Sequence, residues 1–256
     1  MIPGTVNECF EFGWKSPDIA ERLQTPVIIL SDLDLGMNHW MTDSFKYPDQ
    51  PIDRGKILWE SELDDINERL DGKWGRYLDI DGDGIPYRTV PGNKHPKSGY
   101  MGRGTSHDEY GRYTEDSITW ETLMDRLLKK FETAKQYIPK PIILQNDQSS
   151  IGLICCGSTD LAVREAIYLL RKQNIYIDFM RIRGIPFSEE VQDFICKHLI
   201  SYVVELNRDG QLRQLLMMEY PDCSKKLLKI NSYDGLPITA DKIIEQFLAK
   251  EGHKHE

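Results

Sequence analysis

The stretch IGLICCGSTD, residues 151–160, decides the fold of this chain. Its first six residues are a short apolar run of strand length, and the Gly-Ser-Thr-Asp turn that follows opens a stretch with apolar residues at helical spacing. If the run is a strand, Cys155 and Cys156 point to opposite faces of a sheet. The stretch therefore predicts a strand followed directly by a helix.

The same alternation continues towards the end of the chain. Apolar runs recur at Ile175–Ile182, Leu199–Leu206 and Leu227–Ile230, helical patterns separate them, and a last helix is predicted at Ala240–Ala249. Strands that alternate with helices indicate βαβ units and a parallel sheet. Residues 141–256 are therefore predicted to form an α/β domain.

Residues 1–45 have a different pattern. A helix is predicted at Val6–Leu23, although Pro17 disturbs it. The apolar run Thr25–Asp32 suits a parallel strand that is covered on both faces. An isolated helix and strand cannot bury both faces, so a missing segment or a partner is expected to cover this run.

Residues 46–140 connect these two regions. Most of this segment is rich in Pro, Gly, charge and aromatic rings and lacks a clear period, so we expect an ordered segment with a functional or interface role. Near its end, Trp120–Ala134 has helical spacing, and the helix should stop near Pro139.

Composition restricts the function. The 256 residues are 40% hydrophobic and carry a net charge of -9, which argues against nucleic acid or anionic lipid as a partner. No apolar run approaches the roughly 20 residues that a membrane span needs, and the start lacks the pattern of a secretory signal. We expect a cytoplasmic protein with its five cysteines reduced.

The sequence DIDGDG at residues 79–84 places Asp79, Asp81 and Asp83 at the spacing of a calcium loop. Val90 stands where an EF-hand needs a bidentate Glu, which disfavours an EF-hand. Two readings remain, a structural Ca²⁺ or Mg²⁺ held with other ligands and a solvated turn with Asx-type hydrogen bonds.

A second polar loop gathers Arg103, His107, Asp108 and Glu109. His107, oriented by a carboxylate, could act as a general acid or base, and Arg103 could bind an anion. Dense polar loops are common, so a structural or interface role is the alternative.

The remaining candidates lie near predicted strand ends. The turn after residue 156 could bind an anion on free N–H groups, or Ser158 or Thr159 could cap the helix. Asn207 and Arg208 follow a later strand at the matching edge, where an open sheet binds ligands or partners. Arg181 and Arg183 share one face of a strand and could form a salt bridge or contact an anion in a cleft, with solvated charge or interface pairing as the alternative.

Several stretches together resemble the alpha subunit of 2-oxoacid:ferredoxin oxidoreductases, closest to the 2-oxoglutarate type. They follow the family's order over nearly the whole chain. They are PGTVNECF at 3–10, AERLQTPV at 20–27, SDLDLGMN at 31–38, DIDGDGIPYRT at 79–89, HDEY at 107–110, VELNRDGQL at 204–212 and DGLP at 234–237.

The resemblance implies a fold for each region. Residues 141–256 would be an α/β, parallel-sheet domain like the transketolase C-terminal domain. Residues 1–45 would be the end of an incomplete pyrimidine-binding domain, and residues 46–140 the long ordered linker. The family oxidatively decarboxylates a 2-oxoacid with thiamine diphosphate and Mg²⁺, transfers the acyl group to coenzyme A and reduces ferredoxin through iron–sulfur clusters.

The resemblance also implies missing parts. The family's Tyr-Pro-Ile-Thr-Pro substrate loop, its Gln-Arg-Gly-Gly segment and the glutamate that activates thiamine have no counterpart here, so no catalytic residue is assigned. The missing N-terminal part of the alpha subunit and a beta subunit with the pyrophosphate-binding module would be partners, and a cluster would lie on another subunit or domain. The chain alone is expected to be inactive and to bind no cofactor. A stand-alone binding or scaffold module is the alternative.

Overall fold

The computed structural model describes residues 1–102, 105–145 and 149–252, and the chain forms two compact units. The first unit comprises Met1–Trp14, Ile28–Tyr47 and Ile138–Glu256, and the second comprises Lys15–Val27 and Pro48–Tyr137. Two of the borders, at residues 47 and 138, lie close to the predicted boundaries at residues 45 and 140, but Lys15–Val27 belongs to the second unit and the two outer regions share the first. The assignment of the three segments to domain families stays a prediction.

The elements follow one another in this order: α1 (Val6–Leu23), α2 (Leu33–Met37), α3 (Glu60–Arg69), α4 (Ser117–Ala134), β1 (Ile142–Leu144), β2 (Ile151–Cys156), α5 (Thr159–Arg171), β3 (Asp178–Ile182), α6 (Glu189–Lys197), β4 (Ile200–Glu205), α7 (Gln211–Glu219), a 3-10 helix (Pro221–Lys226), β5 (Leu227–Asn231) and α8 (Ala240–Gly252). None of the helices among the described residues is both long and apolar enough to cross a membrane.

The first unit is built on a five-stranded sheet with the order β1-β3-β2-β4-β5. The four later strands pair in parallel, and β1 pairs antiparallel with β3 at one edge. The predicted α/β class with a parallel sheet is confirmed. The sequence did not reveal β1, because three residues between prolines and polar residues are too few to set a period.

Alternate residues of the strands fill two apolar cores, one on each face of the sheet. Leu153 and Cys155 pack against α5 and α8, whereas Ile154 and Cys156 pack with residues of α6 and α7. The prediction that the two neighbouring cysteines point to opposite faces is therefore correct. This two-sided cover explains why β2 is apolar at every position.

The run Thr25–Asp32 is not a strand of the sheet, so that prediction is wrong. It lies outside the helices and strands, and its central residues contact Met1, whose amino group donates to Ile28 O and whose carbonyl accepts from Leu30 N. Ile28 and Leu30 remain 71% and 60% exposed. The cover expected for this run is not supplied by the described residues.

Two smaller expectations also need correction. Pro17 lies inside α1 without ending it. The five cysteines are not all reduced, because Cys196 and Cys223 form a disulfide with their Cα atoms 5.9 Å apart. These two residues are 27 positions apart in the chain and meet where α6 and the 3-10 helix pack together.

The second unit contains most of the aromatic-rich connecting segment, and that segment is ordered as predicted. Leu58, Leu63, Ile66 and Trp74 form a small core around α3. Helix α3 itself was not predicted, whereas α4 matches the predicted helix up to Ala134.

Candidate functional site

The turn that joins β2 to α5 binds an anion, and the anion is a carboxylate of the chain itself. Asp32 Oδ2 accepts a hydrogen bond of 2.9 Å from Ser158 N, and its Oδ1 accepts one from Leu35 N. Gly157 has a φ of +63°, and a Cβ there would lie 2.8 Å from Asp32 Oδ2. Neither Ser158 nor Thr159 caps α5 with its side chain. At least one of the N–H groups predicted to be free, Ser158 N, is thus used inside the protein.

The end of β4 shows the same arrangement. The buried carboxylate of Glu205 accepts from Leu212 N at 2.7 Å and from Arg213 N at 3.0 Å, at the start of α7. Asn207 Oδ1 accepts from Gly210 N and so holds the connecting turn. Arg208 is exposed and pairs with the adjacent Asp209. Asn207 therefore makes the turn contacts of the structural alternative, and Arg208 faces solvent.

Two shallow grooves lie at this carboxyl edge of the sheet. One has a volume of about 350 Å³ and the other about 280 Å³, and both are lined by Asp34, Leu206 and Pro237. The first also reaches Tyr233 and Leu236. Ligands of open α/β sheets bind at such an edge. Sequence reasoning did not identify Asp32 and Glu205 as the carboxylates that accept the backbone N–H groups at the starts of α5 and α7.

Arg181 and Arg183 both bind the carboxylate of Glu8 on α1. Arg181 donates from Nη1 to Glu8 Oε2 at 2.5 Å and from Nη2 to Oε1 at 2.9 Å, and Arg183 Nε lies 2.7 Å from Oε1. Arg181 is 1% exposed. Asp160 lies 3.4 Å from its Nε and also pairs with Arg164. The predicted salt bridge is therefore present.

The charge of Glu8 is fixed by this network. Burial opposes the charged form, but hydrogen bonds from Arg181 and from Gly4 N outweigh it, so the pKa of Glu8 lies below its ordinary value. Gly4 packs against the guanidinium so closely that a Cβ would lie 2.0 Å from Arg181 Nη1. The network attaches the start of α1 to β3.

The acidic loop at residues 79–84 holds a cation that comes from the chain. Lys56 Nζ lies 2.7 Å from Asp81 Oδ2 and 2.8 Å from Asp83 Oδ1, and it also donates to Ile85 O at 2.9 Å. Asp79 accepts the backbone N–H groups of Asp83 and Gly84. Among the described residues, no three His, Cys, Asp or Glu side chains are arranged to hold a metal ion. The Asx-type turn is therefore present, and the ammonium group of Lys56 lies between the carboxylates of Asp81 and Asp83, where a bound cation would lie.

Replacing Lys56 with Met should create a Ca²⁺ site in this loop. The ammonium group would be gone, and Asp81, Asp83 and Ile85 O would present oxygen ligands of the kind that Ca²⁺ prefers. We expect calorimetry to show Ca²⁺ binding about ten-fold tighter, or more, in this variant than in the native chain.

Asp81→Asn in the Lys56→Met background is the matched control and should remove the gain. Equal Ca²⁺ affinity in the native chain and the Lys56→Met variant would contradict this account of Lys56.

Within the described parts of the chain, His107 does not have the carboxylate partner that we expected. Its Nδ1 lies 2.9 Å from the backbone carbonyl of Asp108, and its ring stacks on Tyr77 with 3.8 Å between ring centres. The Asp108 carboxylate accepts from Tyr110 N and Arg112 N instead. Glu109 is exposed, and Arg103 lies outside the described residues. A catalytic role for this loop stays a prediction without the orienting carboxylate.

Lys130 on α4 carries a perturbed charge. Burial, followed by repulsion from Arg126 and Arg76, lowers its pKa from 10.5 to about 8. Its ammonium group donates to Thr25 Oγ1 and to Gln24 O. These contacts involve neutral oxygens, so they do not offset the two guanidinium groups.

The free energy of unfolding should rise as the pH increases from about 8 to 10.5. In that window the unfolded chain binds a proton at Lys130 that the folded chain has lost, so higher pH favours folding. After allowance for partial exposure we expect about 1 kcal/mol.

Urea unfolding of the native chain and Lys130→Met across this window measures the effect as a difference, which cancels other titrating groups. Lys129→Met, at an exposed neighbour, should keep the native slope. Parallel pH profiles for the native chain and Lys130→Met would contradict the assignment.

The free thiols in the first unit are poor nucleophiles. Burial raises the pKa of Cys155 well above its ordinary value and that of Cys156 to about 12. Cys9 also has a raised pKa, chiefly from burial. A thiolate is the form that attacks an electrophile, so these three thiols should react slowly near neutral pH.

Fold and site together define an α/β protein with a mostly parallel sheet, whose groove lies at the carboxyl edge. The chain is 31% identical over 244 residues to the alpha subunit of 2-oxoacid:ferredoxin oxidoreductase 2 of Aeropyrum pernix, a match that covers 90% of this chain and 35% of the relative. It is 25% identical to the 2-oxoglutarate synthase subunit KorA of Methanothermobacter marburgensis, over 81% of this chain and 52% of the relative. No family model matches the chain.

A solved structure shares the fold. The chain aligns with a TM-score of 0.77 and 22% identity to the 2-oxoglutarate:ferredoxin oxidoreductase of Magnetococcus marinus, which was solved with 2-oxoglutarate, coenzyme A and succinyl-CoA bound. The alignment covers 97% of this chain and 41% of that one. The resemblance seen in the sequence is confirmed: the chain is homologous to alpha subunits of 2-oxoacid:ferredoxin oxidoreductases. It spans about a third to a half of the length of these curated relatives.

Proposed function

We propose that this chain is part of the alpha subunit of a 2-oxoacid:ferredoxin oxidoreductase, with 2-oxoglutarate as the substrate. The complete enzyme would convert the 2-oxoacid and coenzyme A to an acyl-CoA and CO₂ and would pass two electrons to ferredoxin. The observation that carries this proposal is the extent of the match with the Aeropyrum pernix subunit, which covers 90% of this chain but 35% of that subunit. The reaction of the whole enzyme then needs residues beyond this sequence.

The donor groups of the described residues support a site for the cofactors outside this chain. The described part of the chain offers no donor set for a metal ion, and its free thiols have raised pKa values. Thiamine diphosphate with Mg²⁺ would supply the covalent chemistry from a site that other parts of the enzyme build, and an iron–sulfur cluster would lie on another subunit or domain. The contribution of this chain would be assembly and the wall of a cleft.

An exposed apolar segment supports a partner. Ile28, Leu30, Leu33, Met37 and Met41 are all exposed, and Met41 is completely so. They lie within one stretch of the first unit. A cluster of large exposed apolar side chains marks an interaction surface more often than scattered single residues do. We assign this segment, residues 28–41, to the missing N-terminal part of the alpha subunit.

A beta subunit with the pyrophosphate-binding module, ferredoxin and coenzyme A would meet the assembled enzyme, in the cytoplasm. Arg208 is an exposed cation at the carboxyl edge of the sheet, and Asn207 holds its turn. We propose that this edge of the first unit faces a partner or cleft, and we propose the same role separately for the loop of the second unit that contains His107 and Glu109. Ca²⁺ or Mg²⁺ at Asp79, Asp81 and Asp83 would require Lys56 to withdraw.

The isolated chain tests the proposal. We expect calorimetry with thiamine diphosphate and Mg²⁺ to show no binding, and an assay of 2-oxoglutarate- and CoA-dependent viologen reduction to show no turnover. Addition of the complementary chains of the same enzyme should restore turnover. Cofactor binding or turnover by this chain alone would contradict the proposal. A stand-alone scaffold would remain inactive after the addition as well.

A further inference from the structure

The loop that joins β5 to α8 presents two large apolar side chains to solvent. Tyr233 and Leu236 are each 68% exposed. The residues that bracket them, Ser232 and Ile238, are buried. The backbone N–H of Ser232 donates to Glu205 O at 3.0 Å, which fixes the start of the loop beside β4. The β5–α8 loop is therefore anchored at both ends, and its exposed apolar side chains lie between the anchors.

Hydrogen bonds within the β5–α8 loop hold this exposed conformation. Lys242 Nζ, from the first turn of α8, donates to Ser232 Oγ at 3.2 Å and forms an ion pair with Asp234. Asp234 Oδ1 accepts from Leu236 N at 3.1 Å, and Gly235 supplies the left-handed backbone of the turn with a φ of +86°. A loop that is ordered before binding loses little conformational entropy when a partner packs against it.

The β5–α8 loop shares a groove with the exposed apolar segment, residues 28–41. Leu33 belongs to that segment, and it lines the groove of about 350 Å³ together with Tyr233 and Leu236. Leu206, which directly follows β4, is exposed and lines the same groove. Three separate parts of the first unit thus contribute large exposed apolar side chains to one surface. A contiguous surface of this kind marks an interaction site more often than scattered residues do.

The two grooves at the carboxyl edge are acidic. Among the described residues that line them, the charged ones are Asp32, Asp34 and Glu165, and none is Lys, Arg or His. Asp32 is committed to backbone N–H groups, and one oxygen of Asp34 accepts from Asn38. Glu165 is exposed, and no described residue forms an ion pair with its carboxylate. Such grooves favour a partner that presents a basic group beside apolar side chains.

We propose that these grooves bind a segment of the N-terminal part of the alpha subunit that carries a Lys or Arg beside apolar side chains. The apolar side chains of the β5–α8 loop and Leu33 would pack against the segment, and the carboxylates of Asp34 and Glu165 would attract its cation. The occupant is the one assigned to residues 28–41, because Leu33 belongs to both surfaces. This inference rests on the proposed function and adds to it the β5–α8 loop and the chemical character of the partner segment.

Calorimetry with the complementary chain that carries the N-terminal part of the alpha subunit tests the proposal. The double variant Tyr233→Asp, Leu236→Asp should raise the Kd about a hundred-fold or more, since two apolar contacts would be replaced by charges at the interface. Leu199→Asp is the matched control, because Leu199 is exposed and precedes β4 at the opposite edge of the sheet. It should bind as the native chain does. Circular dichroism identifies the folded variants, and an equal Kd for the native chain and the folded double variant would overturn the proposal.

Glu165→Gln tests the charge of the partner segment. At low salt we expect its Kd to be about three-fold higher than that of the native chain, or more. The difference should shrink as salt increases, because screening weakens the attraction between exposed charges. Asp193→Asn, at an exposed position of α6, is the control and should keep the native Kd. Equal affinity of Glu165→Gln and the native chain at low salt would overturn the assignment of a basic segment.

The same measurements separate this inference from the proposed function. If the native chain neither binds the complementary chain nor restores turnover, the proposed function fails. If the native chain does both and the double variant binds equally well, the proposed function stands and this inference fails. A double variant that binds normally but loses turnover would assign the grooves to the cleft and would also overturn the inference.

Discussion

Arg181→Met should lower the free energy of unfolding by about 3–5 kcal/mol. The substitution removes the main partner of the buried Glu8 carboxylate, which accepts two hydrogen bonds from the guanidinium and would keep only Arg183 and Gly4 N. It also leaves Asp160 without one of its two arginines. Urea unfolding followed by far-ultraviolet circular dichroism measures the loss. A loss of this size would unfold many domains, so native stability must be measured first.

The double variant Glu8→Met, Arg181→Met separates the pair from its packing. Replacing both partners with apolar side chains removes the uncompensated charge, so it should cost less than Arg181→Met alone. Arg208→Met is the matched control, since Arg208 is exposed and pairs at the surface, and it should change stability by less than about 1 kcal/mol. If Arg181→Met were no more destabilising than Arg208→Met, the buried network would not attach α1 to the sheet.

Gly84→Ala should destabilise the second unit by about 3 kcal/mol. Gly84 has a φ of +80°, and a Cβ there would lie 2.4 Å from Lys130 N and 2.7 Å from Arg126 O. Both of these are backbone atoms of α4, which cannot move aside as a side chain can. The methyl group would push the acidic loop away from the helix and disturb the bond from Arg126 to Gly84 O. Urea unfolding followed by tryptophan fluorescence measures the loss.

Gly82→Ala is the matched control in the same loop. Gly82 has a φ of +72°, so the backbone strain is similar, but the nearest atom is Lys129 Nζ at 3.6 Å. Only the strain remains, at about 1 kcal/mol. Equal losses in the two variants would show that the close approach of Gly84 to α4 does not matter.

The sheet of the first unit was accessible from the sequence because its determinants are local. Strand β2 and helix α5 are each specified by the spacing of apolar residues within one short stretch. The run Thr25–Asp32 has the same apolar character as β2, yet it is not in the sheet. A strand needs a neighbouring backbone, and the pattern of one segment does not tell whether that neighbour is present.

The contacts of the candidate site were less accessible because they join distant positions. Arg181 and Glu8 are 173 residues apart, and Ser158 and Asp32 are 126 apart. The acidic loop was recognised, but its cation was not, since Lys56 lies in a stretch without periodicity. The disulfide was also missed, because Cys196 and Cys223 are 27 positions apart and no local pattern pairs them.

The central claim is that this chain works as one part of an alpha subunit, and reconstitution tests it most directly. The chain would be mixed with the complementary chains, and CoA-dependent reduction of viologen by 2-oxoglutarate would be measured. Three forms of the chain would be compared: the native chain, the double variant Ile28→Asp, Leu30→Asp, and the control Leu128→Asp. Ile28 and Leu30 belong to the exposed apolar segment, whereas Leu128 is an exposed residue of α4. The account predicts turnover in the mixture with the native chain and the control, and a loss of turnover with the double variant. Turnover by the chain alone, or none in any mixture with folded chains, would contradict it.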